Sequence, residues 1–503
     1  VKRQRKLGAA LQTGQGLRGF FMEAMIKGLI IAGTKSGCGK TTVALGMMAS
    51  LVKRGYKVSP FKVGPDFIDP GHHSRVTGIS CRNLDGWMMS KSYNVNTFFK
   101  HAQTADIAVV EGVMGLYDGY DGKSEAGSTA QIAKWIGLPV LLIVDAQSMA
   151  RSAAALVQGF EQFDPDLLFL GVIFNNLGSQ RHLKYLSDAL SDHVKMPCLG
   201  GILKDEKIFI PERHLGLFTR EDHPFSENKI DLFANCIENS LNIDILLKLL
   251  PDMKALPDLK PSIGKTPSKK SIERPRVRIG LPRDNAFCFY YADNLDMLTG
   301  CGAELVRFSP IRDTDLPNDL DGLYLGGGYP ELFAEQLSKN SGLRSRIKAK
   351  SQEGMPIYGE CGGFMYLCNE IRDINGKLFP MTGCFPFVTS MFSRLKSLGY
   401  RKITFSKDAV IGKKGQTARG HEFRYSELTE HSEDIETVYN VSPRKGLKKT
   451  EEGYLANNTL GSYHHLHFGS SPELAEQFVQ SCVHYKHQRK NLHETGRHRS
   501  LKF

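Results

Sequence analysis

The chain contains no apolar run approaching the roughly 18 residues needed to cross a bilayer, and no apolar h-region follows its basic start. A helical membrane anchor and a secretory leader are therefore not expected, and the cytoplasm is the default compartment. CxxC pairs and zinc-ribbon spacings are missing from its ten cysteines, which argues against a disulfide framework or a structural zinc site and leaves individual thiols for chemistry. Internal repeats of solenoid type are missing too.

Positive charge is plentiful but unevenly placed. The formal net charge of +12 owes much to Lys2, Arg3, Arg5, Lys6 and Arg18 at one end and to Lys486, Arg489, Lys490, Arg497, Arg499 and Lys502 at the other. Residues 1–24 and 486–503 are expected to be solvated, partly disordered basic tails rather than nucleic-acid-binding arms. A chain of 503 residues exceeds what one hydrophobic core usually organises. Between Lys27 and about Ile202, apolar runs at Gly28–Ala32, Val58–Lys62, Ile107–Glu111, Val140–Asp145 and Leu168–Phe174 alternate with helix-like stretches, the rhythm of a parallel sheet wound with helices. The Pro-, Lys- and Ser-rich residues 251–275 read as a linker. A second α/β rhythm follows at Val277–Leu281, Glu304–Phe308, Gly322–Leu325 and Pro356–Gly359. The expectation is two tandem α/β domains, residues 25–250 and 276–485.

The first strand runs into Gly33-Thr-Lys-Ser-Gly-Cys-Gly-Lys40-Thr41-Thr42 and then a helix-like segment. Glycines such as Gly37 and Gly39 let backbone N–H groups face a polyphosphate, Lys40 reaches its terminal oxygens, and Thr41, followed by Thr42, can ligand Mg²⁺ at a helix N-terminus. Thr34 replaces the first glycine of the usual P-loop pattern, and with Lys35 early in the loop the segment resembles the variant P-loop of the dethiobiotin synthetase and MinD-like group. Glu111 at a neighbouring strand end supplies the carboxylate that a Mg-nucleotide site needs. It opens EGVMGLYDG, where Asp118 adds an acid. In KVGPDFIDPGHH, Asp66 and Asp69 form a stiff acidic loop that can orient substrate or metal, although an Asx-turn accounts for either alone. Lys62, at the strand end, can bear on a transferred phosphoryl group.

Five segments, KVGPDFIDPGHH, RNLDGWM (82–88), EGVMGLYDG (111–119), GVIFNNLGSQRH (171–182) and PERHLGL (211–217), together resemble the corrinoid amide synthase family in its cobyrinic acid a,c-diamide synthase branch.

In the second half, Gly359-Glu-Cys361-Gly-Gly363 stands between a strand-like and a helix-like run. Small residues around Cys361 permit the sharp turn that exposes a nucleophile, and the helix N-terminus favours the thiolate. Gly327 and Gly328, with Gly362, offer backbone N–H groups to an oxyanion. GSYHHLHF (461–468) supplies a general base. The set resembles the class I glutamine amidotransferase domain, of flavodoxin-like fold, as found in corrinoid amide synthases. That resemblance assigns the catalytic histidine of an SYxH-like segment to His465. It also implies a Cys–His dyad, because His467 stands where most such glutaminases carry a Glu. Segments Leu398–Arg401 and Arg419–Tyr425 match the same pattern; the interdomain cleft and the glutaminase core are both open as their location, and strand packing and ligand contact are equally open for each.

A carboxylate does not accept ammonia at neutral pH until its oxygen is made a good leaving group, which explains a P-loop. Free ammonia is scarce and mostly protonated, which explains a glutaminase. The resemblance therefore implies an enzyme that takes ATP with Mg²⁺, L-glutamine and cobyrinic acid or a related tetrapyrrole polycarboxylate. Hydrogenobyrinic acid and nickel sirohydrochlorin remain alternative acceptors. No membrane or nucleic-acid partner is expected, and a homodimer is left open. A MinD-like ATP switch is the rival from another class, and it predicts no cysteine elbow.

Overall fold

The computed structural model describes residues 26–205, 208, 226–253, 276–430, 435–442 and 450–500. The PERHLGL segment, the first basic tail and nearly all of the expected linker lie outside the described residues.

Strands β1 (Lys27–Gly33), β2 (Val58–Val63), β3 (Arg82–Leu84), β4 (Ile107–Glu111), β5 (Val140–Asp145), β6 (Phe169–Leu177) and β7 (Cys198–Leu203) form one sheet in the order β3-β2-β4-β1-β5-β6-β7. Every neighbouring pair is parallel. Both faces are covered, which is why the strands read as continuous apolar runs rather than as alternation. Ile30 and Ala32 of β1 pack in one core with Phe61, Val110 and Leu142, while Leu29 and Ile31 pack in the other with Val109, Leu141 and Ile143. The register sets Ile31 and Lys62 opposite Glu111 on its two sides, so the P-loop, the acidic loop and Glu111 emerge together at the C-terminal edge.

The second domain is built on a ten-stranded sheet. Ala303–Phe308, Val277–Pro282, Gly322–Leu325, Ile357–Glu360 and Thr459–Ser462 are parallel neighbours. From Thr459–Ser462 onward the sheet continues as an antiparallel wing through Thr450–Ala456, Glu436–Ser442, Ser397–Phe405, Thr417–Arg424 and His465–Leu466. Sequence rhythm reveals only the parallel part, because the wing strands are half exposed.

The last helix, Glu473–Ser500, passes straight through residue 486, where a basic tail was expected to start. Asp321, 1% exposed, is the reason: Arg489 Nη2 lies 3.2 Å and Lys486 Nζ 3.4 Å from its carboxylate. Two of the supposed tail charges neutralise a buried acid. Among the described residues no helix is long and apolar enough to cross a membrane.

The two domains meet along a polar and aromatic seam. Tyr400 donates to Asp85 Oδ2 at 2.7 Å, Arg419 donates to the Trp87 carbonyl at 2.6 Å, and Trp87 stacks on Tyr400 with centroids 4.7 Å apart. Arg82 Nη1 lies 2.9 Å from Asp293 and 2.8 Å from Asp296. The RNLDGWM segment is thus an interdomain face. Removing a buried cation leaves its carboxylate uncompensated, so Arg82→Ala is expected to cost about 3 kcal/mol in denaturant-induced unfolding and to separate the unfolding of the two domains. A single unshifted transition in calorimetry would contradict this.

Candidate active site

At the first centre, β1 ends in the P-loop and the helix Lys40–Lys53 begins directly after it. Gly39 adopts φ 99°, and a Cβ there would fall 2.1 Å from Asn175 Nδ2. Asn175 in turn donates to the Cys38 carbonyl at 3.0 Å and braces the loop. Lys40 Nζ folds back onto the Lys35 carbonyl at 3.0 Å, and burial lowers its pKa. Lys35 itself turns outward to Asp145 at 3.3 Å. Thr41 donates to Glu111 Oε1 at 2.7 Å.

Glu111 is fully buried and shared. Lys62 Nζ is 2.8 Å from Glu111 Oε1, 2.8 Å from Asp69 Oδ2 and 3.1 Å from the Gly112 carbonyl. His73 Nε2 lies 2.7 Å from Glu111 Oε2. Burial works against the charge on Lys62, but Asp69 and Glu111 outweigh it and hold the ammonium well above the usual lysine range. Burial likewise opposes the Glu111 carboxylate, and Lys62 and His73 bring its pKa below the usual value. Lys40, Thr41, Lys62, Asp69 and Glu111 are thus brought into one cluster. Asp66 makes an Asx-turn, its Oδ1 accepting from the amides of Ile68 at 2.8 Å and Asp69 at 3.4 Å. Asp118 closes its own loop by accepting from the Gly115 amide at 2.8 Å.

At the second centre, Cys361 sits at the turn between Ile357–Glu360 and the helix Gly362–Leu367 with φ 49° and ψ −105°. A non-glycine residue in that region is strained, as a nucleophile elbow requires. Gly327 and Gly362 are close-approach positions: a Cβ on Gly327 would lie 2.5 Å from His465 Cε1, and one on Gly362 2.9 Å from the Gly328 amide nitrogen. His465 and the residue after Cys361 therefore both adjoin the Gly327–Gly328 backbone, and Cys361 interacts with His465. His464 faces away, with Nδ1 3.1 Å from Glu452 Oε2.

Sequence reasoning missed Glu360. Its Oε2 lies 3.8 Å from His465 Nδ1. Tyr358 donates to Oε1 at 2.7 Å, the Leu466 amide to Oε1 at 3.1 Å, and Tyr324 to Oε2 at 3.1 Å, so the carboxylate is locked in place. A carboxylate from the elbow strand thus faces the imidazole in addition to the thiol. Burial disfavours the imidazolium, but the charges of Cys361 and Glu360 outweigh it and raise His465 to about 9. His73 and Asn175 were missed as well, although both lie inside quoted segments; nothing in the sequence separates them from packing residues.

The comparisons with known proteins agree with this division. Residues 29–218 match a CobQ/CobB/MinD/ParA nucleotide binding domain, and residues 278–473 match a CobB/CobQ-like glutamine amidotransferase domain. A cobyrinate a,c-diamide synthase of Leptospira interrogans (serovar copenhageni) is 45% identical over 463 residues, 92% of this chain and 100% of its own length. The chain belongs to the cobyrinate a,c-diamide synthase family. Other members so named, from Syntrophotalea carbinolica and Methanosarcina barkeri, are 44% and 40% identical over 90% and 92% of the chain and 98% and 97% of their own lengths. Membership makes this synthase-family chain a glutamine-dependent amide-forming ligase. The glutamine amidotransferase domain removes the MinD-like switch as a reading of the whole chain.

His465 with a raised pKa contributes stability that is fully present below about pH 6.5 and is lost as pH rises through about 9. In Glu360→Gln the imidazolium loses a counter-charge, so the alkaline fall in glutaminase kcat/KM is expected to move to lower pH. The maximal rate is expected to drop about 10²-fold. An unchanged pH profile would show that Glu360 does not act on His465.

Proposed function

We propose that the chain catalyses ATP- and glutamine-dependent amidation of the a and c acetate carboxylates of cobyrinic acid in cobalamin biosynthesis. The observation that carries this reading is the presence, on one chain, of a cation-rich phosphate cradle and a Cys–His–Glu elbow whose domains meet across one seam. The acceptor is the one named in relatives that align over nearly their whole length.

In the first half-reaction a substrate carboxylate oxygen attacks the γ-phosphorus of ATP, forming an acyl phosphate and releasing ADP. Lys40 and Lys62 face the transferred oxygens, and Asp66 and Asp69 orient the acceptor loop. Thr41 and Glu111 are two hard oxygen donors 2.7 Å apart, and they fit Mg²⁺ bound with the nucleotide. When bound, Mg²⁺ supplies neutralisation of phosphoryl charge. In the second half-reaction Cys361 attacks the glutamine amide carbon, and the Gly327, Gly328 and Gly362 backbone stabilises the oxyanion. His465, facing Glu360, gives its proton to the departing ammonia. Water hydrolyses the thioester to glutamate, while ammonia attacks the acyl phosphate and expels phosphate.

Incubation with MgATP, glutamine and cobyrinic acid is expected to add two amides, seen by mass. In Cys361→Ala, glutamine-supported synthesis is expected to vanish while ammonium-supported synthesis stays within about threefold of the parent chain, whereas Glu111→Gln is expected to lower both by about 10²-fold or more. Equal loss of both activities in folded Cys361→Ala would overturn the division of labour.

A further inference from the structure

One aromatic ring joins the two centres, and neither half-reaction uses it. Phe67 belongs to the first domain, at the cap of the helix Ile68–Thr77, yet its ring packs among aromatic and imidazole rings of the second. Its centroid is 5.0 Å from His465, 5.4 Å from His421, 4.5 Å from Tyr291 and 5.3 Å from Phe289, on which it stacks. His421 stacks on His465 with centroids 4.9 Å apart. The imidazole of the glutaminase is therefore walled partly by its own domain and partly by the acidic loop of the synthetase.

The other end of that loop is tied to phosphoryl chemistry. Two residues after Phe67, Asp69 holds Lys62, which also holds Glu111. The intervening backbone has little slack, because Asp66 closes an Asx-turn over Phe67 and Asn83 Nδ2 donates to the carbonyls of Gly64 at 2.9 Å and Asp66 at 2.8 Å. An ammonium has three N–H donors. Those of Lys62 are matched by Asp69, Glu111 and the Gly112 carbonyl. A phosphoryl or acyl-phosphate oxygen gains Lys62 only by displacing one of these partners. If Asp69 yields, the first turn of its helix is released, and Phe67 is its cap.

We propose that Phe67 is a positioning residue coupling the two centres: its ring sets the placement of His465, and the Lys62–Asp69 contact sets the placement of the ring. Glutamine hydrolysis is thereby tied to an occupied phosphoryl site, which prevents ammonia release with no acceptor waiting. The inference rests on the function proposed above and deepens it.

The test uses the full chain with Phe67→Ala and the conservative Phe67→Tyr. Glutamate release is measured with and without MgATP plus cobyrinic acid, alongside amide formation from glutamine and from ammonium chloride. The parent chain is expected to raise glutamate release when MgATP and acceptor are present and to form about one glutamate per amide. In Phe67→Ala that stimulation is expected to collapse and glutamate per amide to rise at least about threefold. KM for glutamine and ammonium-supported amidation are expected to stay within about twofold, and Phe67→Tyr to restore the coupling. Parent-like stimulation and stoichiometry in Phe67→Ala would overturn the proposal. So would loss of ammonium-supported and glutamine-supported synthesis in equal proportion. Should Phe67→Ala not fold, Phe67→Leu is judged by the same ratios. A parent chain that amidates nothing would instead overturn the function itself, before any variant is compared.

Discussion

A carboxylate with no exposed surface cannot keep its charge alone, and Glu111 keeps it by drawing four elements together. Thr41 brings the start of the P-loop helix, Lys62 brings the end of β2, His73 brings the helix after the acidic loop, and Glu111 itself ends β4. The parallel register of β1, β2 and β4 delivers these backbones to one edge, but ion pairing fixes the side chains. Such a cluster is costly to desolvate and is a poor source of stability compared with apolar packing. Its persistence makes sense as poising: Lys62 is already engaged by Asp69, Glu111 and the Gly112 carbonyl, so in the proposed reaction it reaches a phosphoryl oxygen by exchanging one of these partners for another anion.

The glutaminase centre solves the same problem with different means. Cys361 and Glu360 together raise the pKa of His465 against its burial, and Glu360 is held by two tyrosine hydroxyls and a backbone amide. Both centres thus keep a buried charge beside a buried counter-charge, and both lie close to the seam. The contacts across that seam mix ion pairs, stacked rings and single hydrogen bonds, in keeping with interdomain surfaces that are more polar than a domain core.

The parallel sheet of the first domain was legible because burial on two faces writes long apolar runs, and the P-loop because its glycines and lysine serve one purpose. β3 escaped because three residues, Arg-Asn-Leu, carry no period, and β7 because glycines interrupt it. The elbow at Cys361 was legible in its small flanking residues, and the resemblance pointed to His465, which the structure sets beside Gly327 and Glu360 while His464 turns to Glu452. Glu360 was not legible: a residue beside the nucleophile in sequence reads as part of the turn, and only the strand register carries its carboxylate under His465. For the segments that hold Tyr400 and Arg419 the interdomain cleft was one of two locations the pattern left open, but no local signal names Asp85 and Trp87, over 300 residues away, as their partners. The supposed C-terminal tail failed for a related reason, because its partner Asp321 lies far back in the chain.

The wing strand Thr417–Arg424 pairs directly with His465–Leu466, and a Cβ on Gly420 would stand 1.9 Å from the His465 carbonyl oxygen. Only a residue without a side chain fits at that crossing. Sliding the hairpin Ser397–Arg424 by one position would drive Arg419 or His421 into the backbone that carries the imidazole. Residues can therefore be added to this hairpin without shifting the pairing only at its tip, between Phe405 and Thr417.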